Sequence, residues 1–268
     1  LFDIKGTYIN AAYVHPMSKG SFQAIGAYLN ERMFNGQLPR YDMDENRREA
    51  KNLFARLINA EPEEIAWVPS TMAGENFIVN GLSLPGSRGR VVTDAYHFSG
   101  SLYLYNELAK QGLDLQVIKP RDNRIYYEDM EAAITPGTKL VAVSLVSAYN
   151  GFQHDLKKLC EIAHAKNVLV FADIIQAAGA VPIDVKDCGV DFCACATYKW
   201  LMGDFGAGFI YVRKDRLGML KRSQIGYRQE ESYITHLFPF DEPGSPVIET
   251  ASRKDTGGFV EVGTLANE

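Results

Sequence analysis

The chain has 268 residues, 46% of them hydrophobic and 23% charged, which is typical of a folded globular protein. Its formal net charge of −5 argues against nucleic acid and anionic membranes as partners, and no apolar run approaches the roughly 20 residues that span a bilayer. The four cysteines are too few for a disulfide framework and lack zinc-site spacing, and no signal peptide is visible, so we expect a cytoplasmic protein without a metal.

Helical and extended hydrophobic patterns alternate along the first half of the chain. Helices are predicted where apolar residues recur every three or four positions, and strands where short apolar runs lie between turn residues. The predicted elements, in chain order, are a helix at 45–59, a strand at 65–68, a helix from 70, a strand at 90–94, a helix at 99–111, a strand at 115–119 and a helix at 127–134.

The second half contains the most apolar segments. Residues 139–146 form a continuous apolar run, which is expected of a strand buried on both faces. Asp155 is placed to cap a helix, and further buried strands are predicted at 168–173 and 208–213. Strands that alternate with helices predict an α/β fold with a mainly parallel sheet covered by helices on both faces. Residues 236–258 are rich in Pro and Gly and show little regular pattern.

Lys199, Asp173 and Gln176 are the first candidate functional residues. Lys199 lies in a turn of small and polar residues, Asp173 ends a buried strand, and Gln176 follows three positions later. A lysine amine can form a Schiff base with the aldehyde of pyridoxal phosphate (PLP), and a buried aspartate can hold the pyridine nitrogen of PLP protonated. Gln176 could donate to the phenolic oxygen of the ring. The alternatives are a surface lysine and an aspartate that caps the next helix.

Other candidates follow predicted strands, where ligands bind in parallel sheets. Ser70, Thr71 and Met72 open a helix whose free N–H groups suit a phosphate, although a plain helix cap explains the same residues. His97 could stack on a pyridine ring or pack in the core. Asn150 could reach the phenolic oxygen or belong only to a turn.

A larger set of motifs extends this constellation. The motifs are Asn150-Gly151, Asp173-x-x-Gln176-Ala177-x-Gly179, Pro182-Ile183-Asp184-Val185, Tyr198-Lys199-Trp200-Leu201, Gly206-x-Gly208 and Gly263-Thr264. Together they resemble the class V aminotransferase family of PLP-dependent enzymes, which includes cysteine desulfurases, selenocysteine lyases, kynureninases and isopenicillin N epimerase-like enzymes. The resemblance implies the fold type I architecture, with a PLP-binding large domain and a C-terminal small domain that we expect to be missing from this chain.

The resemblance also implies a role for each candidate residue. Lys199 would carry the Schiff base and shuttle a proton, Asp173 would pair with the pyridinium, and His97 would stack on the ring. Gln176 and Asn150 would contact the phenolic oxygen. The remaining cofactor contacts would be Ser70, Thr71, Met72, Thr197 and Tyr198, together with Thr264, which would reach the cofactor of the partner subunit in a homodimer.

The activity that the resemblance implies is that of a PLP-dependent lyase or transferase acting on a small amino acid, with a cysteine desulfurase-like or C–S lyase reaction favoured. Tyr198 stands where the family often has His, which is more typical of the epimerase-like branch. An epimerase, an aminotransferase or a non-catalytic binding module therefore remains an alternative. Residues 1–35 are expected to contribute to the active site or to a small domain, and residues 36–268 to form the large domain.

Overall fold

The computed structural model of the protein describes residues 1–34 and 40–263. A seven-stranded sheet forms its centre, with the strands in the order β1-β7-β6-β5-β4-β2-β3. The strands are β1 (Ile65–Val68), β2 (Arg90–Asp94), β3 (Asp114–Ile118), β4 (Thr138–Ser144), β5 (Leu169–Asp173), β6 (Phe192–Ala196) and β7 (Gly208–Val212). A separate hairpin pairs β8 (Glu230–Thr235) with β9 (Ile248–Ser252).

The strand directions bring most loops of interest to one edge of the sheet. The β2–β3, β2–β4, β4–β5 and β5–β6 pairs are parallel. β7 is antiparallel to both of its neighbours, β6 and β1, so β1 runs in the same direction as β6. Six of the seven strands therefore end at the same edge, where ligands bind in sheets of this kind.

Helices cover both faces of the sheet, as the apolar runs predicted. They are α1 (Lys19–Phe34), α2 (Arg40–Ile58), α3 (Thr71–Gly81), α4 (Ser99–Lys110), α5 (Tyr127–Ala133), α6 (Leu156–His164), α7 (Val185–Cys188) and α8 (Gly257–Val260). Side chains of α2, α5, α6 and α7 share one core with one face of the sheet, and those of α3, α4 and α8 share a second core with the other face. Val141 and Val143 face the first core and Leu140 and Ala142 the second, because side chains alternate along a strand.

Two parts of the chain differ from the sequence prediction. The β8–β9 hairpin and α8 extend into the region for which little regular pattern was found. Every residue of β9 is exposed, so no alternation of apolar and polar residues marks it as a strand. Helix α1, which buries none of its residues, was not predicted either. No helix in the described ranges is long and apolar enough to cross a membrane, and the proposed domain boundary at residue 35 falls outside those ranges.

Candidate active site

Several of the predicted residues meet at the carboxyl edge of the sheet. Asp173 ends β5, Lys199 lies in the turn that follows β6, and Thr71 opens α3 just after β1. Thr71 Oγ1 accepts a hydrogen bond from the Ala196 N–H at 2.9 Å. This bond ties the start of α3 to the end of β6 and so to the lysine turn.

Lys199 is a buried amine, with only 8% of its surface exposed. Burial lowers its pKa below the usual lysine range, and the nearby Asp173 carboxylate partly opposes that shift. Within residues 1–34 and 40–263 no hydrogen bond or ion pair is formed by Nζ, which lies 5.8 Å from the centroid of the Tyr198 ring. A desolvated lysine of this kind is a better nucleophile at neutral pH than one in water.

The turn that carries Lys199 is built from close backbone contacts. A Cβ on Gly179 would lie 2.7 Å from the Trp200 carbonyl oxygen, and a Cβ on Gly203 would lie 2.5 Å from Thr197 Cβ. Met202 has a φ of 59°, in the left-handed region that non-glycine residues seldom adopt. The small residues therefore let the chain fold tightly enough to keep the lysine buried rather than on the surface.

Asp173 is a buried carboxylate with few partners of its own. Its Oδ1 accepts a hydrogen bond from the Ile175 N–H at 2.9 Å, and its Oδ2 lies 3.5 Å from the Ser144 hydroxyl. Burial raises its pKa to about 6, while the charges of His97 and Lys199 act in the opposite direction. A carboxylate in this environment is stabilised by a cationic partner such as a protonated ring nitrogen.

The N-terminus of α3 retains donors for an anion. The Ser70 hydroxyl oxygen caps the helix by accepting from the Ala73 N–H, and the first-turn N–H groups of Thr71 and Met72 have no acceptor within the helix. The Ser70 and Thr71 oxygens act as acceptors in their bonds to the protein, so each hydroxyl can still donate its proton. These donors and the helix dipole fit a phosphate group.

Thr197 and Tyr198 have partners within the lysine turn itself. The Thr197 hydroxyl hydrogen is shared between the carbonyl oxygens of Asp204 and Ala207, at 2.9 and 3.0 Å. The Tyr198 ring stacks on Phe205 with centroids 4.5 Å apart. In this arrangement Thr197 shapes the turn, and its contact with a phosphate stays a prediction.

Gln176 connects three parts of the chain. Its Nε2 donates to the Ala12 carbonyl at 2.9 Å, and its Oε1 accepts from the Trp200 indole N–H at 2.9 Å. The His15 N–H also donates to the Tyr198 carbonyl. The N-terminal segment thus lies against the lysine turn. Both the nitrogen and the oxygen of the Gln176 amide bond to protein atoms, whereas a contact with the phenolic oxygen of PLP was predicted for this side chain.

His97 and Asn150 occupy places different from those that their predicted roles need. His97 is fully buried, with Nδ1 2.9 Å from the Ser144 hydroxyl and Nε2 3.2 Å from Glu75 Oε1, so its ring presents no open face for stacking. Of its aromatic neighbours in the sequence, Tyr96 is half-buried and Phe98 is exposed. Asn150 is exposed, and its Oδ1 accepts from the Phe152 N–H within its own turn. Both cofactor roles stay predictions that this arrangement does not support.

Two features lie apart from this cluster. Thr264, predicted to reach a partner's cofactor, lies outside the described residues. A large open cavity of about 1530 Å³ lies between α2 and the β8–β9 hairpin, with Arg47, Lys51, Tyr233 and Arg253 among its lining residues. Its described lining includes no residue of the predicted site.

The comparison with known families agrees with the fold. Residues 35–245 match the family model described as aminotransferase class-V, and the chain belongs to this family. The family predicted from the motifs is therefore confirmed. Among relatives, 222 residues are 33% identical to "Uncharacterized aminotransferase YcbU" of Bacillus subtilis, covering 83% of this chain and 58% of the relative. A "Probable cysteine desulfurase" of Methanothermobacter thermautotrophicus is 28% identical over 242 residues, covering 87% and 60%.

Solved structures share the same architecture. The cysteine desulfurase of Thermococcus onnurineus has a TM-score of 0.78 at 25% identity, covering 96% of this chain and 62% of its own. The cystine C–S lyase C-DES has a TM-score of 0.83 at 20% identity, covering 96% and 67%. The α/β fold expected from the sequence is therefore confirmed. The chain spans about three fifths of the length of the curated relatives that it matches.

The structure also shows residues that the sequence analysis missed. Glu75, Ser101 and Ser144 form a buried polar group with His97 beneath Asp173. Glu75 could have been found from the sequence, because it is a charged residue on the otherwise apolar side of α3. Ser144 gave a weaker signal, since it stands within the apolar run 139–146 as an isolated hydroxyl.

Proposed function

We propose that this chain is the cofactor-binding part of a PLP-dependent enzyme that acts on an amino acid. The observation that carries the proposal is the buried amine of Lys199, without a described partner, close enough to the buried Asp173 for each to shift the pKa of the other. Family membership supports the same cofactor. A structure of C-DES holds glycine covalently linked to its PLP cofactor, which is a property of that protein.

The residues present fit PLP at three separate points. The N-terminus of α3, with Ser70, Thr71 and Met72, would hold the phosphate. Asp173 would accept the N–H of the pyridine ring and stabilise its positive charge. Lys199 would hold the aldehyde end. When bound, PLP supplies an electron sink for the carbanion formed at Cα of the substrate.

Lys199 would then act as the proton carrier at the substrate Cα. Because burial lowers its pKa, a larger fraction of the amine is uncharged than in a lysine exposed to water, and the uncharged Nζ can accept a proton and return it. The ring of Tyr198, which stacks on Phe205, lies beside the lysine, with its centroid 5.8 Å from Nζ. The Gln176 bridge holds the N-terminal segment over the same turn.

The proposed reaction is of the cysteine desulfurase or C–S lyase type. Relatives named as probable cysteine desulfurases support this choice, at 28% and 32% identity. An aminotransferase reaction is the second candidate, because the 33% identical relative is named as an aminotransferase. Assays of the full protein with cysteine separate the two reactions. A desulfurase or C–S lyase releases sulfide, whereas an aminotransferase transfers the amino group of cysteine to a 2-oxo acid.

A cytoplasmic homodimer completes the proposal. The cysteines are free, which suits a reducing compartment. Large apolar side chains of the hairpin region are exposed, including Leu237, Phe238, Phe240 and Val247, and exposed apolar patches of this kind favour protein contacts. Light scattering of the purified protein tests the dimer, and a monomer at micromolar concentration would count against it.

Cofactor binding is tested by absorption spectroscopy during titration with PLP. The wild-type protein should develop a visible-edge band that Lys199→Ala lacks. Lys221→Ala is the matched control, because Lys221 is an exposed lysine away from the sheet edge. The absence of the band from wild-type protein at saturating PLP would refute the proposal.

A further inference from the structure

A line of buried polar side chains runs from Asp173 into the core between the sheet and α3. The Ser144 hydroxyl lies 3.5 Å from Asp173 Oδ2 and 2.9 Å from His97 Nδ1. His97 Nε2 lies 3.2 Å from Glu75 Oε1, and Glu75 Oε2 accepts from the Ser101 hydroxyl. Residues of α3, α4, β4 and β5 contribute to this line, which reaches the Asp173 carboxylate from the core.

The charges around His97 favour its protonated form. Glu75 faces it from α3, Asp94 from the end of β2 and Asp173 from the end of β5, while Tyr105 of α4 lies 6.3 Å away between ring centroids. Burial alone would lower the pKa of His97, but the three carboxylates raise it above the usual value. Glu75 and His97 are both fully buried, so a neutral imidazole would leave Glu75 as an uncompensated charge.

The hydrogen bonds of Ser144 depend on that charge. A hydroxyl has one proton to donate and two lone pairs to accept with, and the Phe98 N–H already uses one lone pair at 3.1 Å. A protonated His97 donates to the second lone pair through Nδ1, so the Ser144 proton can point at Asp173 Oδ2. A neutral His97 that donates from Nε2 to Glu75 has a bare Nδ1, which instead takes the Ser144 proton away from Asp173.

We propose that His97, held as an imidazolium by Glu75, is a positioning residue that directs the Ser144 hydroxyl to Asp173 and keeps the Asp173 carboxylate ionised. This inference rests on the proposed function for the identity of the partner that Asp173 binds. His97 then acts on Asp173 through Ser144, from the side of the core, and it need not touch the cofactor.

The expected effect is a change in the titration of Asp173. Its pKa is about 6, with burial as the main cause, and the charge of His97 is the largest influence that opposes it. In Glu75→Gln the imidazole loses its charged partner and becomes neutral. The pKa of Asp173 should then rise by about one unit, because the lost charge of His97, which lowers that pKa, has a larger influence than the lost charge of Glu75, which raises it. At pH 7 about half of the Asp173 carboxyl would be protonated, against about a tenth in the wild type.

The experiment is NMR of the protein without PLP, labelled with ¹⁵N in its histidines and with ¹³C in its aspartate carboxyls. In wild-type protein at pH 7.5 both ring nitrogens of His97 should have imidazolium shifts, and in Glu75→Gln one nitrogen should be bare. His164, which is paired with Asp191 outside this cluster, is an internal control that should not change. A neutral His97 in the wild type, or an Asp173 pKa unchanged in Glu75→Gln, overturns the inference.

A second variant protects the test against a folding defect. Ser144→Ala removes the bridge and leaves both charges, so His97 should stay protonated while the pKa of Asp173 rises, and an unchanged Asp173 pKa refutes the bridge. The same samples are titrated with PLP. PLP that fails to bind wild type with a protonated His97 refutes only the proposed function, whereas PLP that binds with a neutral His97 refutes only this inference.

Discussion

Gly74 offers a sharp test of the packing that positions the site. It lies in α3 directly over β6, where an added Cβ would be 2.8 Å from Ala194 Cβ. Val68 Cγ2 at 3.7 Å and Ile210 Cβ at 3.8 Å close the space on the other sides. Because carbon atoms pack best at about 3.5–4.0 Å, Gly74→Ala should push the helix from the sheet by about 1 Å.

The size of the effect follows from two opposing contributions. Overpacking of a tight core costs about 1–3 kcal/mol. Replacing glycine by alanine inside a helix returns up to about 1 kcal/mol. We expect Gly74→Ala to lower the free energy of unfolding by about 1–2 kcal/mol. PLP affinity should fall as well, because the bond from Thr71 to the Ala196 N–H couples α3 to the lysine turn.

Urea denaturation, followed by PLP titration, measures both effects. Gly218→Ala is the matched control, since a Cβ at that position meets no atom within 4 Å. Ala194→Gly removes the opposing methyl group, so the double variant Gly74→Ala/Ala194→Gly should show a favourable coupling of about 1 kcal/mol or more in a double-mutant cycle. A single variant as stable as the wild type, or a coupling near zero, would refute the reasoning.

Three further predictions concern buried polar groups. Thr71→Val leaves the buried Ala196 N–H without its acceptor and should lower the free energy of unfolding by about 1–3 kcal/mol in urea denaturation. Asp191→Asn removes a buried negative charge that pairs with one histidine and two arginines, and it should lower the free energy of unfolding by about 3 kcal/mol in the same assay. Asp215→Asn, at an exposed carboxylate, is the control and should lower it by less than about 1 kcal/mol. Burial raises the pKa of Asp173 from 3.8 to about 6, so the folded state binds this proton more tightly and loses stability as pH rises through that range. Asp173→Asn should remove this part of the pH dependence, and a variant with the wild-type slope between pH 4 and 7 would contradict it.

Much of the sheet could be predicted because its signals are local. The continuous apolar run at 139–146 corresponds to β4, whose residues from Leu140 to Ser144 are all buried. Asp155 was expected to cap a helix, and its side chain does accept from the Lys158 N–H. The position of Asp173 follows from the same kind of local reasoning, since it ends an apolar run that forms β5, and ligands bind beyond the carboxyl ends of such strands.

The partners of the site residues could not be predicted, because they come from distant parts of the chain. Gln176 bonds to Ala12 and Trp200, and His97 bonds to Glu75 and a serine of β4. The hydrophobic periodicity of a sequence does not show which distant residue a buried amide or imidazole will bond to. The β8–β9 hairpin escaped prediction for a different reason, since it buries neither face and so has no hydrophobic pattern.

The central claim is that Lys199 is the lysine that holds PLP, and chemical trapping tests it most directly. The wild-type protein is saturated with PLP, reduced with borohydride, digested and mapped by mass spectrometry. The modification should be found on the peptide that contains Lys199, and Lys199→Arg, which keeps the charge, should lose it. A label spread over exposed lysines such as Lys221, or a label that persists in Lys199→Arg at the wild-type level, would contradict the account.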